Sequence, residues 1–433
     1  MNGFRDVSSK LPSFLFASLF LLSCSSALLA PVHAREDVPE FESLFEEEPD
    51  RFEGPDLLSS EYQSDVFSYM KPETWQYDWI SRPRLLDLSI GSLNATQFLM
   101  DTRLKIHAPL SEKFEFRFLF LDDRDFEKKS VHHVLEFVYW PFPKIGLSAY
   151  GDPDFSKRRN DTGLALTWRP APRHEIRFFN TFVDVTRLKR NDRPDTFIEP
   201  DLPYSRGLVG RLWASIESGS QDFLQYALRF DTRTRWLFPQ DELIHGFRKA
   251  FGSVFFSRRL GPDVRLSGRA QFDDKRETRE PSSGTSPVTP RDWRTRRFIS
   301  HLRATFSGLG PRGDWELGVG AMTALRWWQT ELGNARYRDL LPLVSLSLPG
   351  FRSGTRRDRW SIGIIQTLHE SDGTRALFAE SEISDVTEHR LSVGYDFVFG
   401  DQAVLRLQAN GDLDEYGTPR AWEGGNGQLI LRF

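Results

Sequence analysis

Apolar and polar residues alternate one for one along most of the chain beyond about position 84. In FEFRFLFLDD, Phe114, Phe116, Phe118 and Phe120 fall on one side of an extended backbone, with Glu115 and Arg117 on the other. DFLQYALRFDTR sets Leu224, Tyr226, Leu228 and Phe230 against Gln225, Ala227, Arg229 and Asp231. VRLSGRAQFDD and AVLRLQANGD repeat the pattern, and a period of two marks strands with one apolar face. The last nine residues, GNGQLILRF, keep it to the end: Leu429, Leu431 and Phe433 share one face, and Gln428, Ile430 and Arg432 the other. Little compensates the entropy of ordering a chain end, so a terminus patterned this way is expected to be held by a neighbouring strand.

Length and punctuation separate a membrane barrel from a soluble sandwich. Many runs are ~10 residues long, and their connections alternate between short and long, as in transmembrane hairpins. The short set is PFP at Pro141, PAP at Pro170, SGSQ at Ser218, LGPD at Leu260, LGPRGD at Leu309 and FGDQ at Phe399. The long set is DRDFEKKS, GDPDFSKRRND, TRLKRNDRPDTFIEPDLPYS, Trp236–Lys249, Lys275–Arg291 and RWWQTELGNARYRD. Tyr139, Trp140, Phe142, Trp168, Tyr395, Phe397 and Phe399 sit beside short turns, where a membrane-interface girdle is expected. The expected fold is all-β, a single transmembrane antiparallel β-barrel over residues 76–433 with about eighteen strands. The first strand holds Leu85–Gly91, the last Gln428–Phe433, and His369–His389 counts as one connection. Sixteen or twenty strands stay open, because that connection has room for a hairpin and only SLNA divides the first two strands.

Composition excludes the helical alternative. The 433 residues have a mean hydropathy of -0.46, and no segment after the N-terminus approaches the ~20 apolar residues of a spanning helix. At the N-terminus, Arg5 and Lys10 precede LPSFLFASLFLLSCSSALLA and then PVHA, which reads as a signal peptide over 1–34 cleaved after Ala34. A retained anchor helix and a lipobox at LLSC, ending on Cys24, are the alternatives; bulky Leu22 argues against the second. Cleavage after Ala34 removes the single cysteine, and with it disulfides and thiolate chemistry. Residues 35–75 carry Arg35, Arg51 and Lys71 against thirteen acidic residues, a net charge of -10. They read as a disordered acidic periplasmic segment, or as an acidic plug or partner-docking strip that meets a basic lumen. Against a total of -4, the +1 of the signal and the -10 of this segment leave about +5 on the barrel.

With its signal peptide, cysteine-free alternating body and terminal strand ending in Leu429, Leu431 and Phe433, the chain resembles a Gram-negative outer-membrane β-barrel, porin-like in class. The resemblance covers roughly Arg84 to Phe433 and points to no particular family. It implies residence in the outer membrane among lipid and lipopolysaccharide. It also implies that Leu429, Leu431 and Phe433 form the signal read by the barrel-assembly machinery.

A barrel of this size encloses an aqueous channel unless loops block it. Its wall would carry Arg117, Arg169, Arg177, Arg211, Arg229, Arg265, Arg269, Arg303, Arg406 and Arg432. Glu115, Glu136, Glu175, Asp231, Asp273, Glu316 and Asp412 are the counter-set. Two readings stay open: a lattice of ion pairs that braces the wall, and an arginine surplus that favours anions. Enzymatic pieces are scarce. Ser130 lies near His132 and His133, and Ser300 beside His301, but adjacent strand residues point to opposite faces, so no catalytic residue is expected. No metal or cofactor motif occurs, and neither compartment nor charge suits nucleic acid. The function expected is a pore for passive passage of small hydrophilic solutes, with anionic solutes as the narrower reading if the arginine surplus is not fully paired. The alternatives are a conduit or sleeve in an envelope complex, for polysaccharide export or an electron-transfer partner, with the acidic segment contacting a periplasmic component, and a surface adhesin or receptor.

Overall fold

The computed structural model describes residues 84–94, 97–124, 129–151, 162–182, 196–199, 204–213, 222–238, 243–284, 290–330, 333–373, 387–418 and 421–433. The expected signal peptide and acidic segment lie outside them.

Nineteen strands follow in chain order: β1 (Arg84–Asn94), β2 (Gln97–Pro109), β3 (Phe114–Arg124), β4 (Lys129–Phe142), β5 (Ile145–Gly151), β6 (Thr162–Ala171), β7 (His174–Phe182), β8 (Thr196–Glu199), β9 (Tyr204–Trp213), β10 (Phe223–Phe238), β11 (Leu243–Arg259), β12 (Val264–Pro281), β13 (Arg291–Leu309), β14 (Trp315–Thr330), β15 (Gly333–Ser353), β16 (Arg356–Gly373), β17 (Thr387–Phe399), β18 (Ala403–Asp412) and β19 (Trp422–Arg432). β1 pairs antiparallel with both β2 and β19, so the sheet closes on itself. β7 pairs directly with β9, while β8 pairs only with the far end of β10, at Arg235–Leu237. β8 is therefore outside the ring, and the barrel has eighteen staves, as the sequence suggested.

Burial runs opposite to that of a water-soluble sheet. In β6 the apolar residues Leu164, Leu166 and Trp168 are 60%, 42% and 44% exposed, while Gly163, Ala165 and Thr167 are buried. Phe137, Leu228, Val254, Leu302, Val344, Ile364 and Leu407 continue this exposed apolar face around the ring. In water such a belt is unfavourable by ~25 cal/mol for each Å². Against acyl chains it is the matched surface, and the ring closure leaves no open edge of unpaired backbone. No helix among the described residues is long and apolar enough to cross a membrane; here strands do the crossing.

Both chain ends of the barrel lie at the short-turn end. There the β13–β14 turn uses Gly308, Gly310 and Gly313 at φ 76°, 80° and 66°. A Cβ on Gly310 would stand 2.6 Å from the Trp315 ring, so the turn needs glycine for conformation and for space. Phe433 is one residue past the last ladder, which pairs Leu85 with Arg432, and it is 59% exposed.

Three expected long loops are mostly strand. β10 continues to Phe238 and β11 starts at Leu243; β12 continues to Pro281 and β13 starts at Arg291; β14 and β15 are separated by two residues. Lys275–Arg291 lacks apolar alternation because the ladder there has left the apolar belt and its described faces are polar, whereas RWWQTELGNARYRD mixes aromatic and charged residues, with Arg326, Trp328, Ala335 and Tyr337 inward and Trp327, Arg336 and Arg338 outward. On the outer face Arg276 bonds Asp292 and Arg294 bonds Asp274, while on the inner face Lys275 lies 2.9 Å from Glu277. The His369–His389 connection shrinks in the same way, since β16 runs on to Gly373 and β17 begins at Thr387.

Candidate functional site

Eighteen staves ~4.8 Å apart and tilted ~40° enclose a cylinder roughly 35 Å across, backbone to backbone. Alternation sends the residues opposite the apolar belt inward, and the charged side chains collect there in two groups.

The first group is built by β2, β3, β4, β7 and β9. Lys105, His107, Arg117, Glu136, Glu175, Arg177 and Arg211 line a recess of about 150 Å³. Arg117 donates to Glu115 through Nε at 2.9 Å and Nη2 at 3.2 Å, and its Nη1 lies 3.9 Å from Glu136. Arg177 approaches the other Glu136 oxygen at 2.9 Å, and its guanidinium stacks 4.8 Å above Tyr150. Tyr150 reaches its partner Thr181, 2.7 Å away, by lying across Gly163, where a Cβ would meet the ring at 2.2 Å. Arg169 is bound to Glu175 at 2.9 Å. The Nε of Arg211 is buried without a hydrogen-bond partner. Five cations, Lys105, Arg117, Arg169, Arg177 and Arg211, thus face three carboxylates, Glu115, Glu136 and Glu175. A recess of this volume takes a benzene-sized guest, and forked guanidiniums suit a planar carboxylate or a phosphate.

The second group lies nine staves away, hence on the facing wall. Arg265, Arg303, Glu316, Ser345, Ser347, Ser361, Ser392 and Arg406 line a smaller recess of about 100 Å³ between β12 and β18. Arg303 donates to Ser345 Oγ at 2.7 Å, and Arg269 to Gln271 at 2.5 Å. Asp273 receives Arg297 at 3.2 Å and lies 3.4 Å from Lys249; Glu316 receives Arg359 at 2.8 Å. Arg229 and Asp231 pair with each other at 2.8 Å. Arg432 reaches out to the Asp401 carbonyl at 3.2 Å, and Asp412 accepts the Asp414 amide at 2.8 Å, so both serve turns rather than the open wall.

A line of polar side chains crosses the closing seam. Arg406 donates to Asp396 at 2.7 and 2.9 Å and to Gln428 at 3.3 Å, and Gln428 donates to Asp87 at 2.9 Å. All four strands that meet there, β17, β18, β19 and β1, are tied by this line, and Gln428 is only 1% exposed. The inner face also carries an apolar patch that the charge pattern gave no hint of: Ile299, Met322, Ala324, Leu341, Leu343 and Ile365, all buried.

Trp140 corrects the girdle expectation. It shares the inward side of β4 with Glu136 and Val138, is 9% exposed, donates to Glu115 at 3.4 Å and is stacked by Arg169 at 3.7 Å. Tyr139, Phe142, Trp168 and Phe399 are exposed as expected. Lys105, His107 and Asp87 were missed, although the parity of β2 and β1 places them inward. Ser300 and His301 fall on opposite faces, and His133 packs against Phe120 at 5.0 Å on the outer side. The Ser130 and His132 side chains lie outside the description. Among the described residues no group of His, Cys, Asp and Glu is arranged to hold a metal ion.

No protein-family model matches the sequence, and no curated protein matches it. Solved structures do. OccAB3 of Acinetobacter baumannii has 9% identity and a TM-score of 0.40 over 81% of this chain and 98% of its own. An anion-selective porin of Comamonas acidovorans has 11% identity and a TM-score of 0.34 over 81% and 98%. A bacterial polysaccharide outer-membrane secretin has 9% identity and a TM-score of 0.34 over 81% and 98%. At such values the likeness is one of architecture alone. The closed eighteen-stave ladder, the apolar outer belt and the charged inner wall give the chain the architecture of a transmembrane antiparallel β-barrel.

Proposed function

We infer that the barrel is a pore for small hydrophilic solutes with a mild preference for anions. The observation that carries this is the inner group on β2–β9, where five cations surround three carboxylates and two buried guanidinium nitrogens, the Nε atoms of Arg177 and Arg211, have no hydrogen-bond partner. The preference is mild for a geometric reason. Side chains narrow the ~35 Å cylinder to roughly 20 Å, so its axis lies about one Debye length from the wall at 0.1 M salt, ~10 Å. Selectivity therefore rises as salt is diluted, and it favours solutes that hug the wall.

Planar-bilayer recording under a KCl gradient tests the reading. The wild type should show an anion-selective reversal potential that grows at lower salt. Arg265→Glu with Arg269→Glu, two inward positions on β12, should move it toward cations without changing expression. A cation-selective or indifferent wild type overturns the anion preference.

A second reading is favoured by the inner apolar patch at Ile299, Met322, Leu341, Leu343 and Ile365, since an open aqueous channel has no use for one. In that reading the barrel is a conduit or sleeve around an envelope partner, with the acidic segment 35–75 as a periplasmic contact. A wild type electrically silent with and without residues 35–75 replaces the pore by the sleeve.

Export and assembly complete the proposal. Cleavage after Ala34 would release the mature chain, and Leu429, Leu431 and Phe433 would be read by the assembly machinery. Phe433→Asp should then sharply lower the amount of heat-modifiable barrel in cells, and normal assembly would make the terminal aromatic incidental.

A further inference from the structure

The outer face carries a second charged region, unrelated to the channel. Along β14 the outward residues run from Trp315, beside the short turn, through Leu317, Val319 and Leu325 to Trp327. The two tryptophans are twelve residues apart, roughly 30 Å along the membrane normal at ~3.3 Å per residue and ~40° tilt. That is about the spacing of the two aromatic girdles of a membrane barrel, whose apolar band is ~25 Å tall. Trp327 therefore marks the interface at the end away from the short turns, where the outer leaflet's headgroups lie.

Arginines cluster at that height. Arg296 on β13 and Arg336 on β15 flank Trp327 in register, and Arg338 stands one outward position lower, opposite Leu325. Phe272, Leu340 and Leu368 form the apolar belt just beneath. A groove of about 720 Å³ between Arg296 and Arg336 opens over Trp327. Nearby carboxylates are largely engaged: Asp274 is held by Arg294, and Asp292 by Arg276. Arg296 lies 3.8 Å from the already occupied Asp274, and Arg338 is 3.7 Å from Glu370. Among the described residues Arg336 has no ion pair, though Asp372 is its neighbour in register. Within the groove Arg296 and Arg336 face Asp274 and Asp372. With the flanking outward groups, five arginines (Arg276, Arg294, Arg296, Arg336 and Arg338) stand against four carboxylates (Asp274, Asp292, Glu370 and Asp372), a surplus of one at the depth of the headgroups with a wall fit for acyl chains directly below.

We propose that Arg296, Arg336 and Arg338 form a docking site for the phosphate groups of an outer-leaflet glycolipid, a lipid of the lipopolysaccharide class, whose acyl chains lie along Phe272, Leu340 and Leu368. Guanidinium forks bind phosphate bidentately, and Trp327 sits where an indole favours the polar-apolar boundary. The site stands on the membrane reading of the barrel and is independent of what the lumen conducts.

The test uses the purified full barrel in neutral detergent with EDTA, so that divalent bridges do not contribute. Native mass spectrometry would count bound diphosphoryl lipid A on the wild type and on Arg296→Gln/Arg336→Gln/Arg338→Gln. The triple variant should bind about a hundredfold more weakly, at roughly fivefold per arginine near an anionic surface. Dephosphorylated lipid A should not distinguish the two proteins, and equimolar inorganic phosphate should not compete with the lipid. Heat-modifiable migration reports that the variant is folded, and Arg265→Gln/Arg269→Gln, on the inner face, should bind like the wild type. Equal binding by the triple variant, equal binding of dephosphorylated lipid, or full competition by free phosphate overturns the proposal.

Discussion

The staves of the barrel fall into two lengths. β5, β6, β7 and β9 have 7, 10, 9 and 10 residues, whereas β12 to β16 have 18, 19, 16, 21 and 18. About ten residues cross an outer membrane, so the described strands of the first side are flush with it, while those of the second project by roughly 20 Å. The same backbone ladder runs through both environments, but apolar alternation stops where the lipid stops. Alternation is thus imposed by the surroundings on a ladder that needs only its backbone hydrogen bonds and cross-strand pairs to continue.

The sharpest way to break this comparison is to place one charge in each region. Leu164→Arg, on the outer face of a flush stave, should cost ~2–4 kcal/mol, as arginine does near the bilayer midplane. Gln329→Arg, on the outer face of the projecting part of β14, should stay within about 0.5 kcal/mol. Urea titration of the bilayer-refolded barrel measures both, and equal costs would mean that the membrane boundary is misplaced. A smaller effect separates the inner faces. Gln428→Ala in the seam leaves the buried Asp87 carboxylate and an Arg406 donor short of a bond, costing about 1–3 kcal/mol, whereas Ser345→Ala, between long staves, should cost ~1 kcal/mol or less. The same titration decides between them.

The smallest effect concerns the rim at β17 and β18, beside the long staves. Asp414 accepts hydrogen bonds from the His389 ring at 2.9 Å and from the His389 amide at 2.7 Å, which hold its carboxyl below the usual carboxylate range. A depressed carboxyl stabilises the fold above its unfolded value and loses that contribution as pH falls through its folded value. This clip should therefore be intact at neutral pH and open only in acid. An NMR titration of the Asp414 carboxyl carbon should show the lowered midpoint, and His389→Ala should return it toward the ordinary range.

The sequence made the lipid-facing half of the structure readable for the reason the comparison gives. Phe114 to Phe120, Leu224 to Phe230 and Leu429 to Phe433 alternate because one side of each meets acyl chains, and that rule alone yields the strand class and the closure. It fails at Lys275–Arg291, where both sides are polar, and at RWWQTELGNARYRD, where aromatic and charged residues share both sides, so only the pairing partner reveals a strand. Trp140 was misjudged by its nearness to a turn, although its parity with Glu136 pointed inward. Parity along a strand names candidates for the wall one by one, but Arg432 and Asp412 serve turns instead, and the grouping of the rest is not local. That Arg211 faces Glu175 depends on β9 pairing with β7 across the intervening β8, a choice of neighbour that no local pattern encodes.

The bond between Gln428 and Asp87 links residues 341 apart in the chain. Nearly every other ladder in the ring joins consecutive strands, which can add one hairpin at a time with little loss of entropy at each step. The seam has no such route: until the seventeenth neighbour is in place, β1 and β19 are two raw edges of an open sheet. Its polar line works as a register lock, since a slip of one residue would swing Gln428 outward into lipid and leave Asp87 and Arg406 buried without it. Correct closure is thereby proofread where the two edges of the ring meet.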